Sequence, residues 1–157
     1  MRILGIDPGT RLVGYGIIEK RDDRLRVVEC GVIKADKPAQ DLAQRLKTIY
    51  QELKRVIKRF RPDAIAVEKV FYAQDPQATI KMGEARGVIL LCAVDMKINT
   101  FEYSVAEIKK AVTGYGRAHK TQIQEMVKYL LRLAEVPKSP DAADALAVAL
   151  CHAYRSR

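Results

Sequence analysis

Four carboxylates stand in segments that otherwise predict packed structure. Asp7 ends the apolar segment ILGID, Glu68 lies in AIAVEKVF, and Asp141 and Asp144 lie in SPDAADALAVAL. An ionised carboxylate in such surroundings costs on the order of several kcal/mol unless a positive charge compensates for it. Lys69 is adjacent to Glu68, but successive strand residues point to opposite faces, so this neighbour is not its obvious partner.

Local explanations exist for two of these carboxylates. Asp7 precedes a Pro-Gly turn, where Asp is common because its side chain bonds to nearby backbone. Asp141 follows Ser139, a good N-cap, and could simply favour the positive end of the helix dipole. Asp144 is harder to explain in this way. It lies three residues later on the same helix face, among alanines and other apolar residues.

Convergence of the four carboxylates would define their chemistry. Without a counter-charge, their repulsion would raise their pKa values and leave some protonated. Oxygen ligands without a supporting Cys or His pair are typical of Mg²⁺ or Mn²⁺ sites. Two such ions about 4 Å apart can activate a water and stabilise the leaving oxygen in phosphodiester cleavage. The pattern therefore favours a metal-dependent nuclease with Asp7, Glu68, Asp141 and Asp144 as ligands.

The elements that must position these residues follow from hydrophobic periodicity. Strands are predicted over 2–7, 12–19, 24–35, 64–71 and 98–103, and helices over 39–60, 76–96, 104–112, 121–134 and 140–155. The first three strands are predicted to form an antiparallel meander, with the fourth parallel to the first. This order predicts an α/β fold with a mixed five-stranded sheet, helices on both faces, and a single domain over residues 1–157.

Composition indicates the class of binding partner and the cellular compartment. Lys and Arg total 28 against 19 Asp and Glu, and the net charge of +9 favours a polyanionic partner, most often nucleic acid. No apolar run reaches the roughly 18 residues that cross a bilayer, and no secretory signal is evident. The three cysteines lack metal-site spacing and indicate buried thiols in a reducing compartment. We therefore expect a cytoplasmic protein with no membrane association.

Two aromatic residues, Phe71 and Tyr72, follow the fourth strand. They are either core residues or, in a loop beside a metal site, a surface on which an unpaired base can stack. His152 lies about 12 Å along the last helix from Asp144, at ~1.5 Å per residue, which is too far to share a metal. We expect His152 to have a structural role.

The loop GYGRAHK, residues 114–120, groups Arg117, His119 and Lys120 between flexible glycines. It is either a solvated basic loop or a segment that orders on a phosphate backbone. Thr121 and Gln124 form a capping-box pattern, which places Lys120 at the N-terminal end of the next helix. A cation is slightly unfavourable there, so its position weakly favours a functional role.

The segments GIDPGTRLVGYG, AVEKVF, GYGRAHKTQ and DAADALAVAL, in this order across nearly the whole chain, resemble the RuvC-type Holliday junction resolvases. The resemblance implies an RNase H-like fold and a homodimer. It also implies symmetric, Mg²⁺-dependent cutting of four-way DNA junctions in recombination and repair, with two ions per active site and a branch-migration motor complex as partner.

The resemblance also implies roles for single residues. Asp7, Glu68, Asp141 and Asp144 look like the catalytic metal ligands, although some relatives place His where Asp144 stands. Phe71 resembles the aromatic residue that stacks on a base near the cut. Lys109 and Lys120 resemble lysines that contact DNA at the active site, where Lys120 would stabilise charge on the phosphate.

The helix at 76–96 carries a second half that is apolar on every face, from Val88 to Val94, with Gly83 and Gly87 before it. One core face cannot absorb such a surface, so the helix is either sandwiched inside the domain or packed on a second subunit. Two symmetric cuts need two active sites, and a twofold dimer supplies them. We expect dimerisation through this helix.

Other functions compete with a junction-selective nuclease. A phosphotransferase of the sugar-kinase and actin-like type shares the Asp-x-Gly-Thr hairpin, but needs a second domain to close over ATP. A non-catalytic junction-binding module would leave the buried acids without a use. A nuclease that processes ribosomal RNA is the nearer rival, and the ending DAADALAVAL and the loop GYGRAHK weigh against it.

Overall fold

A computed structural model describes residues 1–22, 24–71 and 75–156. Its strands are β1 (Arg2–Asp7), β2 (Leu12–Arg21), β3 (Arg24–Lys34), β4 (Ala64–Glu68) and β5 (Asn99–Tyr103). Its helices are α1 (Leu42–Phe60), α2 (Pro76–Asp95), α3 (Val105–Thr113), α4 (Lys120–Leu130) and α5 (Pro140–Arg155). The element order is the one that hydrophobic periodicity predicts.

The strands form a mixed five-stranded sheet in the order β3-β2-β1-β4-β5. β1, β2 and β3 are an antiparallel meander, whereas β4 runs parallel to β1 and β5 runs parallel to β4. The predicted meander and the predicted parallel pairing of the first and fourth strands are both confirmed.

The helices cover both faces of the sheet. One buried cluster joins Leu4, Ile17 and Ile65 of the sheet to α1 and α2. The other joins Ile3, Ile18 and Ala66 to α3, α4 and α5. Alternate strand residues therefore point into separate cores, which explains the nearly continuous apolar runs in β1 and β4.

Several predicted boundaries are wrong, one because of strand pairing and one because of a helix cap. β4 ends at Glu68 rather than at residue 71, because its neighbour β5 ends at Tyr103, the register partner of Glu68. α1 begins at Leu42 rather than 39, since Asp41 caps it by accepting a hydrogen bond from the Gln44 N–H at 2.8 Å.

The predicted capping box at the start of α4 is also wrong. The observed cap is His119, two residues before the predicted cap Thr121, and the backbone N–H of His119 donates to Gln122 Oε1 at 2.8 Å. Lys120 nevertheless stands at the N-terminal end of the helix, as predicted, and is its first residue. Within the described ranges, no helix has the length and apolar character needed to cross a membrane.

Candidate active site

Two of the four carboxylates emerge side by side at one edge of the sheet. Asp7 is the last residue of β1 and Glu68 the last residue of β4. The two strands are parallel and adjacent, with Ile6 in register with Val67, so the next residue on each strand is a carboxylate. Strand pairing alone therefore brings Asp7 and Glu68 together.

Helix α5 brings the other two carboxylates to the same edge. It can lie close to the sheet because β1 and β2 have glycines at the positions that face it. A Cβ atom on Gly14, the register partner of Asp7, would lie 2.1 Å from the backbone oxygen of Asp141. A Cβ on Gly5 would lie 2.1 Å from the backbone oxygen of Ala145. Only glycine permits such an approach, so the backbone of α5 rests directly on β1 and β2.

The beginning of α5 is fixed by its cap. The side-chain oxygen of Ser139 accepts a hydrogen bond from the Ala142 N–H at 3.4 Å, and Pro140 is the first helical residue. Asp141 and Asp144 follow in the first turns and face the sheet edge. The N-terminal half of α5 thereby adds two carboxylates to the two that the strands provide.

Negative charge outweighs positive charge in this cluster. The pKa of Asp7 rises to about 8, chiefly because the group is buried and further because Glu68, Asp144 and Asp141 are negative neighbours. The pKa of Glu68 is also raised, first by burial and then by Asp144. Lys120 opposes both shifts without cancelling them.

Two lysines border the carboxylates. Lys120 Nζ donates to Asp144 Oδ2 at 2.9 Å, and this bond raises the pKa of the lysine. Lys109, on α3, acts on Glu68 by lowering its pKa. Both lysines line a cleft of about 200 Å³ together with Glu68 and Asp144, and apolar residues of α3 and α4 complete its wall. The cleft is therefore lined by both carboxylates and lysines.

The donor set fits a hard divalent cation. All candidate ligands are carboxylate oxygens, and burial beside the other carboxylates raises the pKa of Asp7. In the described part of the chain, however, no three His, Cys, Asp or Glu side chains already form a closed metal cage. Asp144 uses one oxygen on Lys120, and Mg²⁺ commonly completes its shell with water and substrate phosphate rather than with protein alone.

The other residues predicted to contact DNA are exposed where the structure describes them. Phe71 is 59% exposed, three residues past the end of β4, so it is not a core residue. Arg117 and His119 are exposed in the loop before α4, and no ion pair joins them to the carboxylates. Tyr72 lies outside the described residues.

His152 has the structural role that its distance from Asp144 predicts. It is 3% exposed, its Nδ1 lies 2.8 Å from the Tyr103 hydroxyl, and its ring stacks on Phe101 with centroids 4.3 Å apart. It joins α5 to β5.

Sequence reasoning missed the glycines that seat α5. Gly14 and Gly16 alternate on one strand with Tyr15 between them, so they share a face. That face meets the run of alanines in α5. Small residues at period two opposite a helix rich in alanine are a signal for close packing of helix on sheet.

Comparison with known proteins agrees with the geometry. The family model described as "Crossover junction endodeoxyribonuclease RuvC" matches residues 3–152. A protein with that description from Syntrophotalea carbinolica is 52% identical over 156 residues, covering 98% of this chain and 94% of the relative. One from Geobacter sulfurreducens is 51% identical over 153 residues, covering 98% and 92%.

Solved structures agree as well. "T. thermophilus RuvC in complex with Holliday junction substrate" superposes with a TM-score of 0.92 at 34% identity, covering 100% of this chain and 95% of that one. The yeast mitochondrial Holliday junction resolvase, at 16% identity and a TM-score of 0.71 over 95% of this chain and 76% of its own, shows the fold alone. The predicted RNase H-like fold is confirmed. With carboxylates from two strand ends and one helix at a single edge, and with a family match over nearly its full length, this chain belongs to the RuvC family of crossover junction endodeoxyribonucleases.

Proposed function

We propose that this enzyme resolves four-way DNA junctions by paired symmetric nicks, with Mg²⁺ held by Asp7, Glu68, Asp141 and Asp144. The observation that carries the proposal is the carboxylate edge, where four acids meet two lysines and the pKa of Asp7 rises to about 8. A divalent cation there relieves the repulsion that the fold otherwise retains. The related Thermus structure contains a Holliday junction substrate, which supports the same substrate here.

When bound, two Mg²⁺ ions (or Mn²⁺) supply a nucleophilic water and neutralise charge on the leaving oxygen. The carboxylates of the protein would bind these ions. Asp7 and Glu68, fixed at adjacent strand ends, would hold the ions together with Asp141 and Asp144 from α5. Asp7 would lose its proton on holding a cation, because a carboxylate ligand must be ionised.

The basic residues hold the DNA. Lys120 stands 2.9 Å from Asp144 and is placed to stabilise negative charge on the reacting phosphate. Lys109 lines the same cleft from α3. Arg117 and His119 are exposed beside it and bind the phosphate backbone further out.

Phe71 stacks on a base near the cut. Its ring is mostly exposed and follows Glu68 by three residues, so it stands beside the carboxylates without a core to fill. Stacking on an aromatic ring contributes roughly 1–3 kcal/mol per base and requires the base to leave its pair. Junction centres supply unpaired or easily opened bases at lower cost than a continuous duplex does.

The active enzyme is a homodimer that forms through α2. Ile80, Leu91 and Val94 are each more than 60% exposed on this helix. Among the described residues, nothing outside the helix's own backbone lies within 4 Å of a Cβ placed on Gly83 or Gly87. Exposed apolar residues with small residues beside them allow a second helix to approach closely. Two carboxylate edges related by a twofold axis would match the near-twofold symmetry of a four-way junction.

The cellular setting follows from the same family. The enzyme acts in the cytoplasm and works with a branch-migration motor that delivers junctions to it. The described cysteines Cys30, Cys92 and Cys151 are all free thiols, which suits a reducing compartment. The matched relatives are bacterial proteins with the same description.

One cleavage experiment tests the function. The protein is incubated with a mobile four-way junction, a linear duplex and structured RNA, each with Mg²⁺ and with EDTA. We expect paired symmetric nicks in the junction alone, lost in EDTA and lost in Asp7→Asn. Equal cutting of all three substrates would refute junction selectivity, and cutting in EDTA would refute the metal requirement.

A companion variant tests base stacking. Phe71→Ala should slow cutting of a fully paired junction but not of one with an unpaired base at the cut. Lys81→Ala, an exposed residue on α2, is the matched control and should cut both junctions like the unaltered protein.

A further inference from the structure

One side of the sheet ends in a long strand without a neighbour. In the part of the chain that the structure describes, β3 lies at the end of the strand order and no other strand pairs with its outer side. It runs for 11 residues. An unpaired strand edge presents N–H and C=O groups that can template an additional strand. This edge therefore requires either protection or a partner.

The beginning of β3 has two chemically different faces. Arg24 pairs in register with Arg21, and Arg26 pairs with Glu19, so these four side chains lie on one face of the hairpin. Leu25 lies between the two arginines and points the other way, where it packs against the core beneath α5. The edge thus alternates between cationic and apolar positions.

On the cationic face, the arginines outnumber the carboxylates that could neutralise them. Glu19 is 6% exposed, and its carboxylate oxygens form ion pairs with guanidinium nitrogens of three arginines. The N–O distances are 2.6 Å to Arg26, 3.1 Å to Arg21 and 3.3 Å to Arg2. Its hydrogen bond to Arg26 holds the pKa of Glu19 below its usual range. One buried carboxylate therefore fixes several guanidinium groups in place and leaves a net positive charge facing solvent.

The apolar positions open into a groove. A cavity of about 470 Å³ lies at this end of the hairpin, where apolar residues and the charged residues of the cationic face share one lining. Its residues are Leu25, Leu130, Leu131, Tyr154, Glu19, Arg21, Arg24, Arg26 and Arg132. Within the described ranges, neither Arg24 nor Arg132 has an ion-pair partner. Arginine and tyrosine are the residue types that dominate binding energy at protein interfaces, whereas lysine is depleted there.

The groove is separate from the carboxylate edge. Asp141 is the second residue of α5 and Tyr154 is near its end, a distance of about 20 Å along the helix at ~1.5 Å per residue. β2 also runs from Gly14, beside Asp7, to Arg21 beside the groove. The two sites lie at opposite ends of the same elements.

We propose that the outer edge of β3 at Arg24–Arg26 accepts an extended segment of a partner protein in which acidic and apolar residues alternate. An added strand directs successive side chains to opposite faces. Its carboxylates then meet Arg21, Arg24 and Arg26, and its apolar side chains enter the groove beside Leu25. The inference does not depend on the proposed junction cleavage.

Other occupants match this surface less well. A second copy of this chain, paired edge to edge, would bring arginine against arginine, which is destabilising. A DNA backbone would satisfy the guanidinium groups but would leave the apolar groove uncovered. The alternation of charge and apolar surface is what selects a peptide strand.

Binding of a defined peptide tests the proposal. The probe is a fluorescein-labelled peptide of four Asp-Val repeats, and its control has the same composition in an order that breaks the alternation. Fluorescence anisotropy with the full chain at physiological salt should show the alternating peptide binding about tenfold more tightly. Equal affinity of the two peptides would overturn the proposal and leave the arginines as protection of the edge alone.

Variants locate the site. Arg24→Glu with Arg132→Glu should weaken binding of the probe by at least about tenfold. Lys47→Glu with Lys58→Glu makes the same charge change on the exposed face of α1 and should leave affinity within about twofold. Equal losses from both pairs would mean that net charge alone attracts the peptide, which contradicts a specific site.

Hydrogen exchange identifies the binding mode. Bound peptide should slow exchange of amides within residues 24–27 and leave those near Asp7 unchanged. Displacement of the peptide by a short linear duplex at equal charge would instead assign the arginines to DNA. Arg24→Glu with Arg132→Glu should still cut junctions, so loss of peptide binding is distinguishable from loss of the enzyme.

Discussion

Lys120 Nζ lies 2.9 Å from Asp144 Oδ2, so the first residue of α4 supplies a counter-charge to a carboxylate of α5. Lys120 also lowers the pKa values of Asp7 and Glu68, although burial and the other carboxylates outweigh it. The lysine is therefore the main positive charge that the chain itself places against the acidic edge. Its position depends on α4 beginning at residue 120.

Replacing Lys120 with methionine should slow cleavage without preventing DNA binding. The variant keeps the side-chain length but removes the charge aimed at the phosphate, and loss of one such group costs on the order of 10²-fold in rate. Single-turnover cleavage of a junction at saturating protein measures this directly. Lys128→Met, later on the same helix, is the matched control and should cut at the normal rate. Normal cleavage by Lys120→Met would remove the lysine from the chemistry.

Replacing Asp7 with asparagine should stabilise the metal-free protein while abolishing cleavage. The pKa of Asp7 is about 8 in the folded protein against an ordinary value of 3.8. Between these values the folded state binds a proton that the unfolded state has released, so the stability of the unaltered protein falls as pH rises. Asparagine carries no charge and avoids this cost.

Urea unfolding in EDTA measures the effect. The advantage of Asp7→Asn should be near zero at pH 4 and grow to on the order of a few kcal/mol at pH 8. Adding Mg²⁺ should stabilise the unaltered protein and not the variant, because the cation binds only the folded carboxylate edge. Asp36→Asn, an exposed control, should show neither effect. A variant that is less stable than the unaltered protein at pH 8 would contradict the electrostatic account.

Adding one methyl group at Gly14 should displace the start of α5. The new Cβ would lie 2.1 Å from the backbone oxygen of Asp141, so one of the two backbones must move. Such overpacking typically costs about 1–3 kcal/mol, and here it also shifts a proposed metal ligand. Cleavage by Gly14→Ala should fall about 10²-fold even at temperatures where circular dichroism shows it fully folded.

Gly16→Ala is the matched control, because it should lower stability without moving Asp141. Its Cβ would first meet the side chain of Leu146, further along α5 than Asp141. We expect a comparable loss of stability, measured as a lower melting temperature, but nearly normal cleavage by the folded protein. If the two variants lose cleavage equally, the contact between Gly14 and Asp141 is not what positions the site.

Hydrophobic periodicity was sufficient to predict every helix and strand of the sheet and the parallel pairing of β1 with β4. Each core face is a regular repeat of buried residues, which a linear sequence displays directly. The boundaries were less predictable. Glu68 ends β4 only because its partner strand ends at Tyr103, a fact about pairing rather than about local sequence.

The candidate site divides in the same way. Asp7, Glu68 and Asp144 could be singled out because a carboxylate among apolar residues conflicts with its surroundings. The packing of α5 on Gly5 and Gly14 was missed: the glycines and the alanines are visible in the sequence, but their pairing joins residues more than a hundred positions apart. The same holds for the arginines around Glu19, which lie in an unremarkable basic hairpin until strand register brings them together.

A charge placed on the outer face of α2 should separate the proposed dimer. Leu91 is 61% exposed on this helix, and Gly87, one turn earlier, leaves open space beside it. Leu91→Asp should reduce the sedimentation coefficient to that of a monomer, because burying an unpaired carboxylate in an apolar interface is costly. Tyr129→Asp, on the 76% exposed tyrosine of α4, is the matched control and should leave assembly unchanged.

The same variant distinguishes a dimer needed for folding from one needed for paired cutting. Leu91 is exposed in the single chain, so Leu91→Asp should fold with nearly normal stability. Its four carboxylates should then still bind Mg²⁺, detected by thermal stabilisation. On a supercoiled plasmid carrying an extruded junction, the unaltered protein should give mainly linear product from two coupled nicks, whereas Leu91→Asp should give nicked circles. Linear product from a proven monomer would show that one chain makes both cuts and that α2 serves another purpose.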